Sequence, residues 1–426
     1  MKRITHLLLM ASLSASPALS ICAQDMVYSR SIGSPQLYMQ GYQMSYPIIR
    51  LNSSDQMELQ FDDLDGDVKN YYYTFQLCNE DWTPADVSEF DYLKGFSQIK
   101  IDDYQNSSIA VTRYTHYHAV LPDPNCIPTH SGNYVLKVFL DGDTSKLAFT
   151  RRFLVTNTKI SIQSQLLQPM DYNLAQTHQH ITLKLNTMAI NPTNALDQIK
   201  VDVLQNYRWD NVIRNLKPNF YVNNSMEYSN DGDINFEGGW EWRSLDLRSF
   251  RFQSDRIASA NYGKTGTDVL LKPDGDRSAL AYSFYADYNG GFALASTDQI
   301  QNVNTQGDYA NVLFSFAPKD KTPFPDKDVY VLGRFTGEGE NDSTRMLFNP
   351  DNGRYERRFL MKMGVYNYSY VTLDKTDPDA RPSFAYTEGN HVETENDYMI
   401  LVYYRAPGAR ADELVGIAKF NSLTGK

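Results

Sequence analysis

The chain is 426 residues long with a formal net charge of −11, and aromatic side chains make up 13% of it, including 30 tyrosines. Nucleic acid and anionic lipid both repel so acidic a chain, so neither is expected as a partner and no direct membrane insertion is expected. The length exceeds one ordinary hydrophobic core and predicts two or three domains.

In chain order, the first feature is a leader: Lys2 and Arg3 precede a short apolar run from Leu7 to Met10, then a small-residue stretch ending at Ala23. This pattern is a secretory signal peptide over residues 1–23. The run is broken by Ser and Pro and is too short to span a bilayer, and no later stretch approaches the roughly 20 apolar residues a spanning helix needs. Leu19-Ser20-Ile21-Cys22 is close to a lipoprotein box, but bulky Ile21 stands where a small residue is wanted. Cleavage after Ala23 is therefore expected ahead of lipidation at Cys22. It removes Lys2 and Arg3 and no acid, moving the formal charge from −11 to −13.

The remainder reads as β throughout. Runs such as "QMELQFDDL", "YYYTFQL", "GNYVLKVFLDGD", "HITLKLNT", "IKVDVLQN", "ANVLFSFAP", "DVYVLGRF" and "YMILVYYR" alternate apolar with polar residues between Asp-Gly, Gly-Asn or Pro punctuation. The fold class expected is all-β, as tandem antiparallel β-sandwiches of immunoglobulin-like or early-set-like type. Three units are predicted, over residues 24–157, 158–303 and 304–426. The first break is the Asn-Thr link near residue 157, between a closing and an opening strand; the second is the polar stretch "STDQIQNVNTQGDYANV". An outer-membrane barrel is disfavoured, because strands such as "RYERRFLMKM" carry charge on both faces.

Several stretches could carry chemistry. His116-Tyr117-His118 and His178-Gln179-His180 aim paired imidazoles from one strand face, yet neither pair has a convincing third ligand in its segment, so no metal is expected. "DDLDGDVKN" and "LKPDGDRS" are acidic enough for calcium, but counting back from Gly66 puts Phe61 and Tyr72 at liganding positions, and Asp-Gly turns account for both. No Gly-x-Ser-x-Gly elbow is present, and the acids Glu80 and Asp81 beside Cys78 would raise a thiol pKa. No catalytic residue, cofactor or enzyme activity is expected. Cys78 and Cys126 remain after signal removal, and a bridge between them or two buried thiols both stay open. Trp240 and Trp242 share a strand face, either as a stacking platform or as packing, with packing preferred.

The segments "YYYTFQLCNEDWTPADVSEFDYLKGF", "YTHYHAVLPDP" and "SGNYVLKVF" together resemble the N-terminal domain of the plug protein of the type 9 secretion system of Bacteroidetes. "WEWRSLDLRSFRFQS", "DVYVLGRF", "GRYERRFLMKMGVYNYSYV" and "EGNHVETENDYMILVYYR" look like that family's later domains, in order. The resemblance implies a non-enzymatic periplasmic subunit at the inner face of the outer membrane. It would dock on the periplasmic mouth of the giant translocon barrel and close the empty pore, with other secretion subunits as further partners. An irregular loop leaving a strand is where a sandwich displays binding residues, so partner contacts are expected within Asn79 to Phe96, at Asn79, Asp81, Trp82, Tyr92 and Phe96. The rival reading is an exported or cell-surface glycan-binding protein, prompted by the early-set character of the third unit. Against it, no tryptophan follows residue 242.

Overall fold

The computed structural model describes residues 24–425, so the expected signal peptide and Cys22 lie outside the described residues. The strand Tyr71–Cys78 shows how the first core is built. Tyr71, Tyr73, Phe75 and Leu77 are buried while Tyr72, Thr74 and Gln76 are half-buried, the two-residue alternation of a pleated strand with one face on a core. It sits in a six-stranded sheet ordered Met26–Val27, Leu147–Thr156, Gly132–Leu140, Tyr71–Cys78, Ile99–Lys100, with Ile48–Arg50 pairing parallel to Leu147–Thr156. A four-stranded sheet, Ile32–Met39, Met57–Asp63, Thr115–Leu121 and Asp103–Asn106, covers its inner face. Between them Phe61 stacks on Tyr117 at 5.0 Å and meets Tyr71 edge-on at 5.0 Å. This is the expected first sandwich.

The second core is discontinuous in sequence. One wall is the sheet of Ser161–Leu167, His178–Asn186, Ser225–Tyr228, Phe220–Val222 and Asn235–Glu237. The other is a three-stranded sheet in which Ile199–Gln205 pairs with Asp397–Tyr404, and that strand with Glu413–Asn421. Ile181, Leu183 and Val203 therefore share a core with Ile400, Val402 and Val415. The third core lies wholly between these segments. Its ten-stranded sheet is built from strands lying in sequence between Arg243–Asp246 and Gly364–Asp374, which pair with each other, and residues from Leu245 to Tyr370 fill its core.

The expected break between residues 303 and 304 does not coincide with a boundary between cores. It falls in the short helix Val303–Gln306, whose Val303 packs on the third core, while the last two strands belong to the second. The third unit is thus inserted into the second. The three-stranded sheet is buried on both faces: Leu204, Met399, Leu401, Tyr403 and Leu414 turn away from the second core onto Cys78, Val135 and Leu154 of the first unit. Burial on both faces explains why "YMILVYY" is a continuous apolar run rather than an alternating one.

Candidate functional site

The loop that leaves Tyr71–Cys78 is tied down by its own side chains. Trp82 N–H donates to the Asn79 carbonyl at 3.0 Å, and Asp81 Oδ1 accepts from Thr83 N–H at 3.0 Å and from Thr83 Oγ1 at 2.6 Å. The turn holds Trp82 at φ +67°, the left-handed region that a bulky residue enters only under constraint from its surroundings. That constraint is visible. Trp82 is 1% exposed, meets Trp209 of the second unit edge-on at 4.8 Å, and lies 4.8 Å from the Arg152 guanidinium.

Its neighbours in the loop face the same way. Glu80, also buried, takes ion pairs from Lys200 at 3.3 Å and Arg214 at 3.6 Å, and Asn79 Oδ1 accepts from Arg405 at 2.6 Å. Burial, reinforced by the Glu80 charge, pushes the nearby Asp202 carboxyl well above the usual range. Asn79, Glu80 and Trp82 therefore bind the first unit to the second. Sequence reasoning placed Asn79 and Trp82 on a partner-facing loop; the structure turns them onto the molecule's own second unit.

The rest of the loop divides by exposure. Tyr92 is buried, its hydroxyl donating to the Phe75 carbonyl at 3.3 Å, and so it belongs to the first core rather than to an outer surface. Leu93–Gly95 pairs with Cys126–Pro128. Gly95 has φ +102°, and a Cβ there would stand 2.1 Å from the Asn125 carbonyl oxygen, so only glycine lets these strands approach. On either side the chain presents Phe90, 79% exposed, and Phe96, 63% exposed, among the exposed acids Asp81, Asp86, Glu89 and Asp91. Two large exposed rings with an acidic rim have the composition of a protein-binding patch. Of the residues expected at a partner contact, Phe96 and Asp81 are exposed; Phe90, not among them, is the more exposed ring, and it stands as an isolated aromatic inside the acidic run "SEFDY".

The other candidates resolve into structural roles. Cys78 and Cys126 do not bridge. Both are buried thiols, Cys78 turned onto the second unit and Cys126 into the first core, so they lie on different sides of the packing. Burial, then Asp123, pushes the Cys126 thiol up to about 12, which makes it a poor nucleophile. Asp63, Asp65 and Asp67 are grouped closely enough to hold a metal ion, but the Lys69 ammonium sits among them at 2.8, 2.5 and 3.2 Å. His180 bonds to Asn235 and His178 to Thr177, both at 2.8 Å, and His118 to Asp103 at 2.9 Å. All four tryptophans are buried, Trp240 with its Nε1–H on the Ser283 carbonyl, so none forms an open stacking platform.

A second join fastens the first unit to the third. The Lys362 ammonium, on a fully buried side chain, lies 2.5 Å from Asp62, which also accepts from Tyr309 at 2.6 Å and bonds to His116 Nδ1 at 2.7 Å. Burial acts to raise the Asp62 carboxyl, but Lys362 and His116 outweigh it and hold it below the usual range. Where all three units meet, the half-buried Glu338 is raised to about 8, first by desolvation and then by Asp210 and Asp25, against the opposing pull of Arg334 and Arg208. Beside it opens a groove of about 830 Å³ whose walls come from the first, second and third units.

Among the described residues no helix is long and apolar enough to cross a membrane. Residues 32–157, the first unit, match the family model described as the type 9 secretion system plug protein first domain. A crystal structure of a protein from Parabacteroides merdae, described only as hypothetical, is 28% identical and superposes with a TM-score of 0.89, covering 93% of this chain and 99% of its own. No curated protein matches the chain.

Proposed function

We propose, from the premise that residues 32–157 are a type 9 secretion system plug first domain, that this chain docks on the periplasmic mouth of the outer-membrane translocon barrel and closes the pore when no cargo occupies it. The first-domain match supports a component of that secretion system, and the all-β fold suits a structural part. The observation that carries the docking proposal is that the matched unit bears the exposed Phe90 and Phe96 within its acidic rim. A plug must leave, so its contact should be a few aromatic anchors in a wet polar surround rather than an extended apolar face. This patch has that composition.

Supporting the assignment of docking to the first unit alone, its other large surfaces are engaged internally: one sheet face by Trp209 and Leu401, the other sheet through Asp62 by Lys362. The experiment is isolation of the tagged protein from its native envelope under mild extraction. The giant barrel should dominate the eluate, and Phe90→Ser with Phe96→Ser should deplete it by about tenfold or more, the loss expected for two anchor residues. An eluate without the barrel would refute the docking.

A further inference from the structure

The charged border of the join between the first and second units holds more acid than base. Glu80 and Asp81 come from the first unit, and the second supplies Asp202 and Asp412. Three cations answer them. Lys200 pairs with Glu80 at 3.3 Å and with Asp412 at 3.2 Å, Arg214 with Glu80 at 3.6 Å and with Asp202 at 3.2 Å, and Arg405 with Asp412 at 2.8 Å. Asp81, at the exposed edge, is attracted by Lys200 and Arg214 as well. The next cation, Arg152, is held over the rings of Trp82 and Trp209 at 4.8 and 5.6 Å, and its backbone N–H donates to Asp25. Counting that pair adds one charge of each sign, so one acid is in excess either way.

The excess falls on Asp202. Its side chain is fully buried on the strand Ile199–Gln205, and its Oδ1 receives no donor from the described residues. Its carboxyl stands within hydrogen-bonding reach of Glu80, itself 6% exposed. Two carboxyl groups can bond to each other only when one of them carries a proton, and a buried pair of like charges does not keep both ionised. Tyr403, on the neighbouring strand Asp397–Tyr404, does not supply the missing donor, because its hydroxyl donates to Asn133 at 2.8 Å. Burial first, and then the Glu80 charge, accordingly raise Asp202 well above the usual carboxyl range against the pull of Arg214.

We propose that the first and second units close on each other with the uptake of one proton, shared between Asp202 and Glu80, so that the join tightens in acid and loosens in base. An opened join puts Asp202 in water, where it releases that proton above an ordinary carboxyl pKa, whereas the closed join keeps it. Closure is therefore strongest below that pKa and weakens by up to about tenfold per pH unit above it, until the closed-state carboxyl ionises. The loop so fixed runs from Asn79 on to Phe90 and Phe96, but the inference rests on the join alone and not on docking to the barrel.

The test is hydrogen exchange of the full mature chain, read by mass spectrometry in residues 79–83 and corrected for the intrinsic pH dependence of exchange. The opening equilibrium of that segment should rise by on the order of tenfold per pH unit from about pH 5 to 7. Asp202→Asn replaces the shared proton with an amide N–H that Glu80 can accept, and should hold the opening equilibrium level over the same range. Glu80→Gln removes the like charge and brings its own amide donor; it should flatten the profile too, and it decides the matter if Asp202→Asn does not fold. Glu338 titrates at the other junction, so Glu338→Gln is measured alongside and should keep the slope of the unaltered protein. A level profile in the unaltered chain, or the unaltered slope retained in the carboxyl-pair variants, would overturn the proposal.

Discussion

The first unit is held by two joins of opposite character. Against the second unit it presents Cys78, Trp82, Val135 and Leu154, an apolar surface with one edge-on tryptophan pair, bordered by the ion pairs of Glu80 with Lys200 and Arg214. Against the third it presents the Asp62 carboxylate, to which Lys362 and Tyr309 converge in a buried site. An apolar join is non-directional and degrades in proportion to the area removed. A buried ion pair gives little net stability while intact and becomes costly when one partner is lost. The first join therefore resembles the continuation of a core, and the second a point of registration between units.

That contrast can be broken at its apolar side first. Trp82→Ala should cost about 3–5 kcal/mol by the cavity left behind, with roughly 1 kcal/mol more for the lost contact with Trp209. Chemical denaturation measures it, and a value under about 1 kcal/mol would mean that Trp82 is not buried in solution. The ionic side should behave differently. Lys362→Met leaves the buried Asp62 with Tyr309 and His116 but without its ammonium partner and should cost about 3–5 kcal/mol, whereas Lys362→Met combined with Asp62→Asn should recover most of that loss. Additive destabilisation by the two changes would remove the distinction between the joins.

These expectations show what the sequence could and could not disclose. The alternation in "YYYTFQLC" made a half-buried strand legible, and the Asn-Thr link gave the end of the first unit within reach of the matched boundary at residue 157. "YMILVYYR" was equally legible as a strand. Its unit was not, because a strand returning after an insertion carries no mark of the sheet it joins; only pairing with Ile199–Gln205 reveals it. Trp82 illustrates the same limit at one residue. Its turn chemistry was readable from Asn79, Asp81 and Thr83, but the ring's burial depends on Trp209, which lies in another unit.

A smaller effect sharpens the comparison at the three-unit junction. Glu338 goes from an ordinary 4.5 to about 8 in the fold. The folded state then keeps a proton that the unfolded chain releases, so this group's contribution falls as pH rises from about 4.5 to 8. Glu338→Gln should match the unaltered protein near pH 4 and exceed it at pH 8 by on the order of 1–2 kcal/mol, solvent screening at a half-buried group removing most of what the full shift would give. Parallel stability curves from pH 5 to 8 would show that Glu338 titrates normally. The smallest effect on stability belongs to the outer patch, where Phe90→Ser and Phe96→Ser should stay within about 0.5 kcal/mol of the starting protein. Their consequence should appear in binding instead.

Quantitative co-purification of the barrel with three tagged forms, the unaltered chain, Phe90→Ser/Phe96→Ser and Asp81→Lys, therefore tests the central claim most directly. The account predicts abundant barrel with the first, at least about a tenfold loss with the second, and a smaller loss, of a few-fold, with the third. Recovery of the barrel in equal amount with all three folded proteins would contradict it.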